Sequence, residues 1–174
     1  ESGKPVLVLK SGRTREGAAA AASHTGSLAG SDEVCDAAFR QAGIIRCSTI
    51  EEMFHNAIAL AYQPLPRGKR VAIITNAGGP GVLATDAAIK QNLDLAKFSD
   101  ATLEIYKKSL PATANIKNPV DVIGDARADR YKVALGAALQ DPGVDGVLVI
   151  LTPQSMTDIE NSAEEVFNTV GKFD

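Results

Sequence analysis

Ser23-His24-Thr25-Gly26-Ser27-Leu28-Ala29-Gly30 follows a run of five alanines, Ala18 to Ala22. A lone histidine is more often a cap or a packing residue, but packing needs bulky neighbours and this frame has none. Its Ser, Thr and Gly can instead donate hydrogen bonds to an anion, and the small side chains let backbone approach whatever the ring carries. Neutral imidazole is a nucleophile near pH 7, since its unperturbed pKa is about 6.5. His24 is therefore a candidate for a chemical role, with Ser23, Thr25 and Gly26 as candidate ligands of an anion. The other histidine, His55, lies off the apolar stripe of an amphipathic stretch and reads as a solvated helix residue.

A second glycine-rich segment, Asn76-Ala77-Gly78-Gly79-Pro80-Gly81, follows the apolar run Val71-Ala72-Ile73-Ile74 and leads into a helix expected from Val82 to about Gln91. A strand that turns straight into a helix gathers several free N–H groups at one point, and proline in the first turn removes only a donor that would be unpaired anyway. The positive end of the helix favours an anion by about 0.3–1 kcal/mol, and by up to about 2 when partly buried. Asn76, Gly78, Gly79 and Gly81 thus outline a phosphate seat, the alternative being glycines needed only for a tight strand-to-helix turn. Gly79-x-Gly81-x-x-Ala84, with Asp100 some 20 residues on, also matches a dinucleotide fingerprint. That match is weak, because Asp100 reads better as the cap of a helix beginning Ala101-Thr102-Leu103. The absence of Trp and the few aromatics argue against a flavin.

Strands and helices alternate around these segments. Pro5 to Leu9 reads as a strand buried on both faces. Ser31-Asp32 cap a helix to Phe39 that Gly43 ends, and Ile44 to Cys47 is a second strand. Thr49 and Glu52 form a capping box for a helix to about Tyr62, with the stripe Ile50, Met53, Phe54, Ala57, Ile58 and Ala61. Pro64-Leu65-Pro66-Arg67-Gly68 marks a boundary between two domains, 1–64 and 65–174. In the second, strands follow near Leu93–Ala96, Val120–Val122 and Val144–Leu151, with helices from Asp100 to Leu110, from about Asp129 to Leu139, and from Thr157 or Asp158 onward. Strands separated by helices without hairpin signals imply parallel sheets covered on both faces. The chain reads as cut at both ends, the second domain stopping where another strand is due.

Bulk properties set bounds. The 174 residues are 45% apolar and 22% charged with a net charge of −3, which gives no electrostatic footprint for nucleic acid or an anionic membrane. No apolar run is long enough to span a bilayer and no signal peptide opens the chain. Cys35 and Cys47 lack metal-ligand spacing and read as buried, reduced thiols of a cytoplasmic protein; no metal site is expected.

The stretch from Lys4 to Tyr62, with Lys10-Ser11-Gly12-Arg13 and the His24 motif, resembles the carboxyl half of the ligase domain in NDP-forming acyl-CoA synthetases. It is nearest the ADP-forming acetyl-CoA synthetases, relatives of succinyl-CoA synthetase. From Lys69 onward the chain is similar to the flavodoxin-like carboxyl domain of the partner subunit, through Asn76 to Gly81, Asn118-Pro119-Val120-Asp121-Val122 and Val144 to Val149. The resemblance implies an α/β fold of flavodoxin-like, doubly wound parallel sheets of the succinyl-CoA-synthetase type. It further implies that His24 is the catalytic residue, phosphorylated during turnover to an energy-rich phosphoramidate that can pass the group on in either direction. With this go, by the same resemblance, Ser23, Thr25 and Gly26 as phosphate ligands and a turn at Gly78–Gly81 that faces the phosphohistidine. It implies CoA, ADP or ATP and phosphate as substrates, no covalently bound cofactor, and Mg²⁺ at an ATP-grasp domain. That domain and the CoA-binding domain are missing from this chain and are its expected partners, in an enzyme that is oligomeric when complete. A different class of function, a non-catalytic regulatory region fused to a protein lysine acetyltransferase, would be favoured by loss of the histidine, which is present here.

Overall fold

The structure, a computed structural model, describes residues 4–25 and 31–173, and for His24 and Thr25 the backbone alone. It divides into two compact units, Glu1–Leu65 and Pro66–Asp174.

In the first unit β1 (Leu7–Leu9) and β2 (Ile45–Cys47) pair in parallel, Leu7 opposite Ile45 and Leu9 opposite Cys47. Helices α1 (Arg15–Thr25) and α2 (Asp32–Gln41) lie between them in sequence, and α3 (Ile50–Tyr62) follows. The alanine run, expected as an open frame around His24, is helical. Alanine has the highest helix propensity, and Thr14 caps the start by accepting from the Gly17 N–H at 3.0 Å. His24 is consequently the last residue but one of α1 rather than part of a loop. Gly43 takes φ +67° after α2, a left-handed turn suited to glycine. Ser31 sits at the α2 cap, yet its hydroxyl donates to Glu33 instead of accepting from the helix.

The α3 start carries the expected cap, with Thr49 Oγ1 accepting from the Glu52 N–H at 3.0 Å. The Glu52 carboxylate reaches back one residue further than a capping box requires, to the Ser48 N–H at 2.7 Å. The apolar stripe of α3 does not bury as one face. Met53 and Ala57 are half-buried, while Ile50, Phe54 and Ile58 remain more than half exposed. Two strands are too narrow to cover an apolar stripe of about 100°. For the same reason Leu9 is exposed, and β1 is not buried on both faces. Cys47 is buried and Cys35 only half-buried, both as free thiols.

The second unit runs β3 (Arg70–Thr75), α4 (Gly78–Lys90), β4 (Asp94–Leu95), α5 (Asp100–Ser109), β5 (Val120–Asp121), α6 (Ala128–Gln140), β6 (Gly146–Ile150) and α7 (Ile159–Val170). Every strand pairing is parallel and involves β3. One edge of β3 is taken by β6, with Val71–Thr75 against Gly146–Ile150. The other edge is shared end to end: Val71 O accepts from the Ala96 N–H at 2.9 Å beside β4, and Thr75 O accepts from the Val122 N–H at 2.8 Å beside β5. Between them the Asn118 side chain completes the ladder. Its Oδ1 accepts from the Ile73 N–H at 2.9 Å, and its Nδ2 donates to Val71 O at 2.8 Å and Ala96 O at 3.1 Å.

Ala72, Ile74, Val120 and Val122 form the sheet side of the core, packed against Tyr106 of α5 and Tyr131, Ala134, Leu135 and Ala138 of α6. Both tyrosines are fully buried, and their hydroxyls donate to Ala134 O at 2.9 Å and Ile150 O at 3.0 Å, as buried phenols require. The opposite face is covered less completely: Ile73 is sealed, but Leu148 of β6 is 44% exposed. At α5 the cap is Ser99, whose Oγ accepts from the Thr102 N–H, so Asp100 is the first helical residue and not the cap. Each unit is thus α/β with a parallel sheet, its paired strands separated in sequence by helices.

Two outcomes follow for stability. Asn118→Ala strands the Ile73 N–H without its acceptor and removes two further bonds; it should lower the unfolding free energy by about 2–4 kcal/mol, read from urea titration. Arg70 grips Asp145 through its side chain at 2.7 and 2.8 Å and its N–H at 2.9 Å, holding that carboxyl at about 2. A carboxyl lowered by folding adds stability above its unfolded pKa and loses it as pH falls to the folded value. The urea midpoint should therefore drop between about pH 4 and pH 2, and Asp145→Asn should flatten that part of the profile.

Candidate functional site

The residues singled out in the sequence fall at two places, one in each unit. In the first unit they close α1. The Ser23 hydroxyl donates to Ala20 O at 2.7 Å, so its proton is engaged by its own helix while its oxygen lone pairs remain. The side chains of His24 and Thr25, and all of Gly26, lie outside the described residues.

In the second unit the turn from β3 into α4 is fully described. The helix begins at Gly78, four residues before the expected start at Val82, with Ala77 as its cap. Thr75 Oγ1 accepts from the Ala77 N–H at 3.0 Å and donates to Ala77 O at 2.9 Å, closing the turn within two residues. The first intrahelical bond of this segment is Gly81 N–H to Ala77 O at 3.2 Å. Gly78 and Gly79 are thus the first two helical residues, whose N–H groups have no intrahelical acceptor, and none is found among the described residues. Pro80 has no N–H to place.

The three glycines have different reasons to be glycine. A Cβ on Gly81 would stand 3.0 Å from Thr75 Cγ2 and 3.6 Å from Pro119 Cβ, so this residue lets α4 seat closely on the sheet. A Cβ on Gly79 would meet nothing within 4 Å, and one on Gly78 only Asp121 Oδ2 at 3.6 Å. Strand-to-helix geometry accounts for Gly81 but leaves Gly78 and Gly79 unexplained. What their missing side chains do is leave two N–H groups uncovered.

Asn76, 1% exposed, has its side chain fully engaged. Oδ1 accepts from the Thr152 N–H and hydroxyl, both at 2.8 Å, and Nδ2 donates to Thr152 O at 2.9 Å and Thr157 Oγ1 at 3.2 Å. Gln154 Nε2 donates to Asn76 O at 3.0 Å, and the Thr157 hydroxyl donates to Gly124 O at 2.9 Å. Asn76 therefore ties the turn to the segments that follow β5 and β6, with no amide donor left over for a ligand.

Asp121, which the sequence did not single out, lies beside this turn. Its Oδ1 accepts from the Ile123 N–H at 2.9 Å, and Oδ2 faces Gly78. Ile123 has φ +71°, a strained state for a β-branched residue that occurs most often at functional sites. The available signal was topological: the residue that ends a strand of a parallel sheet borders the place where such sheets bind ligands. Its charge, after burial, contributes to raising the Tyr131 hydroxyl above its usual range. Among the described residues no three His, Cys, Asp or Glu side chains are placed to hold a metal ion, and no helix is long and apolar enough to cross a membrane.

Residues 1–60 match the family model of a succinyl-CoA-ligase-like flavodoxin domain, and residues 71–169 that of a Ligase-CoA domain. The chain is 47% identical over 97% of its length to acetate–CoA ligase (ADP-forming) I of Archaeoglobus fulgidus, of which it covers 24%. It is 48% identical over 96% of its length to the alpha subunit of acetate–CoA ligase (ADP-forming) II of Pyrococcus furiosus, covering 37% of that subunit. Among solved structures, acetyl-coenzyme A synthetase 1 of Ca. Korarchaeum cryptofilum, described as dinucleotide-forming and in complex with phosphate and ADP, superposes with a TM-score of 0.90 at 37% identity. That match covers 98% of this chain and 37% of the other. The chain thus spans 24% to 37% of the length of these relatives.

The glycine assignments can be separated by stability alone. Gly81→Ala should cost about 1–3 kcal/mol by overpacking against Thr75, whereas Gly79→Ala should be neutral or gain up to about 1 kcal/mol of helix propensity, as measured by urea unfolding. An equal loss in both variants would return the whole turn to a purely geometric role.

Proposed function

Because the chain belongs to the NDP-forming acyl-CoA synthetase family, with a Ligase-CoA domain behind a succinyl-CoA-ligase-like flavodoxin domain, we propose that it is part of an acid–thiol ligase. This enzyme interconverts acyl-CoA, ADP and phosphate with carboxylic acid, CoA and ATP by way of a phosphoryl group on His24. The observation that carries the reading is the pair of uncovered N–H groups at Gly78 and Gly79, in the segment that resembles the phosphate-facing turn of the family.

In the first step a phosphate oxygen attacks the thioester carbonyl; the C–S bond breaks and CoA leaves as thiolate, giving an acyl phosphate. The imidazole of His24 then attacks phosphorus, the P–O bond to the acyl group breaks, and the carboxylate departs. Finally a terminal oxygen of ADP attacks phosphorus, the N–P bond breaks, and ATP forms with the neutral imidazole restored. His24 needs outside help to hold the phosphoryl group, because it closes a helix and the C-terminal end of a helix disfavours anions. Gly78 and Gly79 offer donors at the opposite, favourable end of another helix, while Asn76 and Gly81 position that helix start. Thr25, Gly26 and the Ser23 hydroxyl, once turned from Ala20 O, complete the proposed phosphate ligands. Nucleotide with Mg²⁺, and CoA, are assigned to ATP-grasp and CoA-binding domains elsewhere in a cytoplasmic, oligomeric enzyme. A regulatory, non-catalytic role has no counterpart among the relatives named above, all ligases or synthetases.

Incubating the intact enzyme with ATP and Mg²⁺ and mapping the phosphopeptide should yield an acid-labile, base-stable adduct at His24. His24→Asn should abolish acyl-CoA synthesis without changing the melting temperature; a stable ester on Ser23 or Thr25 would contradict the assignment. Gly79→Asp should fold, given the open space around that position, yet lose most of the steady-state phosphohistidine, since a carboxylate beside the phosphate costs about 1–4 kcal/mol at surface-like dielectric. Wild-type phosphorylation in a folded Gly79→Asp enzyme would refute the seat.

A further inference from the structure

A cleft of about 450 Å³ opens in the first unit, where β1 and β2 run out into the starts of α1 and α3. Thr14 and Thr49 cap those two helices, and the N–H groups of Arg15 and Glu16 in α1 and of Ile50 and Glu51 in α3 have no acceptor among the described residues. Lys10 and Arg13 line the same cleft, and among the described residues no carboxylate does. The loop that carries both cations is folded back by glycine: Gly12 takes φ +74°, and a Cβ on Gly17 would lie 3.4 Å from Gly12 Cα. Arg13 reaches the far wall, donating to Ser48 Oγ at 3.3 Å.

The nearby carboxylates are engaged by other groups or lie outside the wall. Asp32 accepts from Lys10 at 3.3 Å and lies 3.9 Å from Arg13, but is also held by Arg46, whose guanidinium keeps it below the usual carboxylate range. Glu52 is engaged by the Ser48 N–H, and Glu16 and Glu51 are exposed outside the wall. Two helix starts, two cations and the Ser and Thr hydroxyls therefore converge on one concave surface, a donor set for phosphate oxygens. His24 stands nine residues further along α1 than Arg15, about 13 Å at the helical rise, so it is not part of this cleft.

We propose that this cleft is a second anion site, one that binds the phosphate chain of a phosphorylated small molecule, separate from the phosphoryl relay. The probe is pyrophosphate, titrated into the intact protein and followed by calorimetry and by amide NMR shifts, with ADP and CoA as further arms. Pyrophosphate should move the amides of Arg15, Glu16, Ile50 and Glu51. Arg13→Gln should weaken it at least fivefold, and Ser48→Glu, at an exposed position, should abolish it, both with unchanged melting temperature. A tenfold preference for ADP or for CoA would name the source of the phosphate chain, and equal binding of all three would mean that recognition ends at the phosphates. His24→Asn should leave this binding intact, so its persistence or loss is judged apart from phosphohistidine formation. No amide shift at 10 mM pyrophosphate, or equal affinity in Arg13→Gln and Ser48→Glu, would overturn the proposal.

Discussion

The chain has two residues, Asn76 and Ala77, in which to leave β3 and enter α4, and the second unit is arranged around that short turn. Thr75 makes it possible by serving both polar groups of Ala77, and Gly81 by letting the helix seat against Thr75 and Pro119. Asn76 then fixes the turn to the loops beyond β5 and β6, so its position is set by three strands at once. Asn118 satisfies polar groups of β3 and of Ala96 just beyond β4, and the buried hydroxyl of Tyr131 satisfies the last carbonyl of β6. The result is a helix start whose first two N–H groups are held still and have no partner among the described residues.

Such a start attracts an anion, but Asp121 opposes it. Charge-assisted hydrogen bonds contribute about 1.5–3 kcal/mol each, so two of them outweigh a single nearby carboxylate, whose repulsion is about 1–4 kcal/mol at surface-like dielectric. The surplus is modest. The proposed relay needs that balance, because a phosphoryl group held too firmly would not move on to its next acceptor. The strained Ile123, whose N–H holds Asp121 in place, indicates that the carboxylate is kept there against a local backbone cost.

Much of this was legible in the sequence where a local rule governs. Apolar runs marked β3 and β6, Thr49 marked the start of α3, and Gly43 the turn after α2, because caps and left-handed turns depend on neighbours a few residues away. The errors came where two rules competed. The alanines before His24 were read for their small size, and their helix propensity went unweighed, so α1 was missed. At α5, Ser99 and Asp100 are both good caps and the choice fell on the wrong one. Asp121 and Asn118 were out of reach altogether as site and ladder residues, since their roles exist only once β4 and β5 lie end to end along β3. The stripe of α3 was correct as a pattern, but a pattern does not say how much sheet is present to cover it.

The most direct test of the account is whether Gly78 and Gly79 sense the phosphoryl group. In the intact enzyme labelled with ¹⁵N-glycine, the amide resonances of both should move downfield when His24 is phosphorylated and return when the group passes to ADP, with Gly136 in α6 unmoved as an internal reference. Phosphorylation at His24 with the Gly78 and Gly79 amides unshifted would contradict the account.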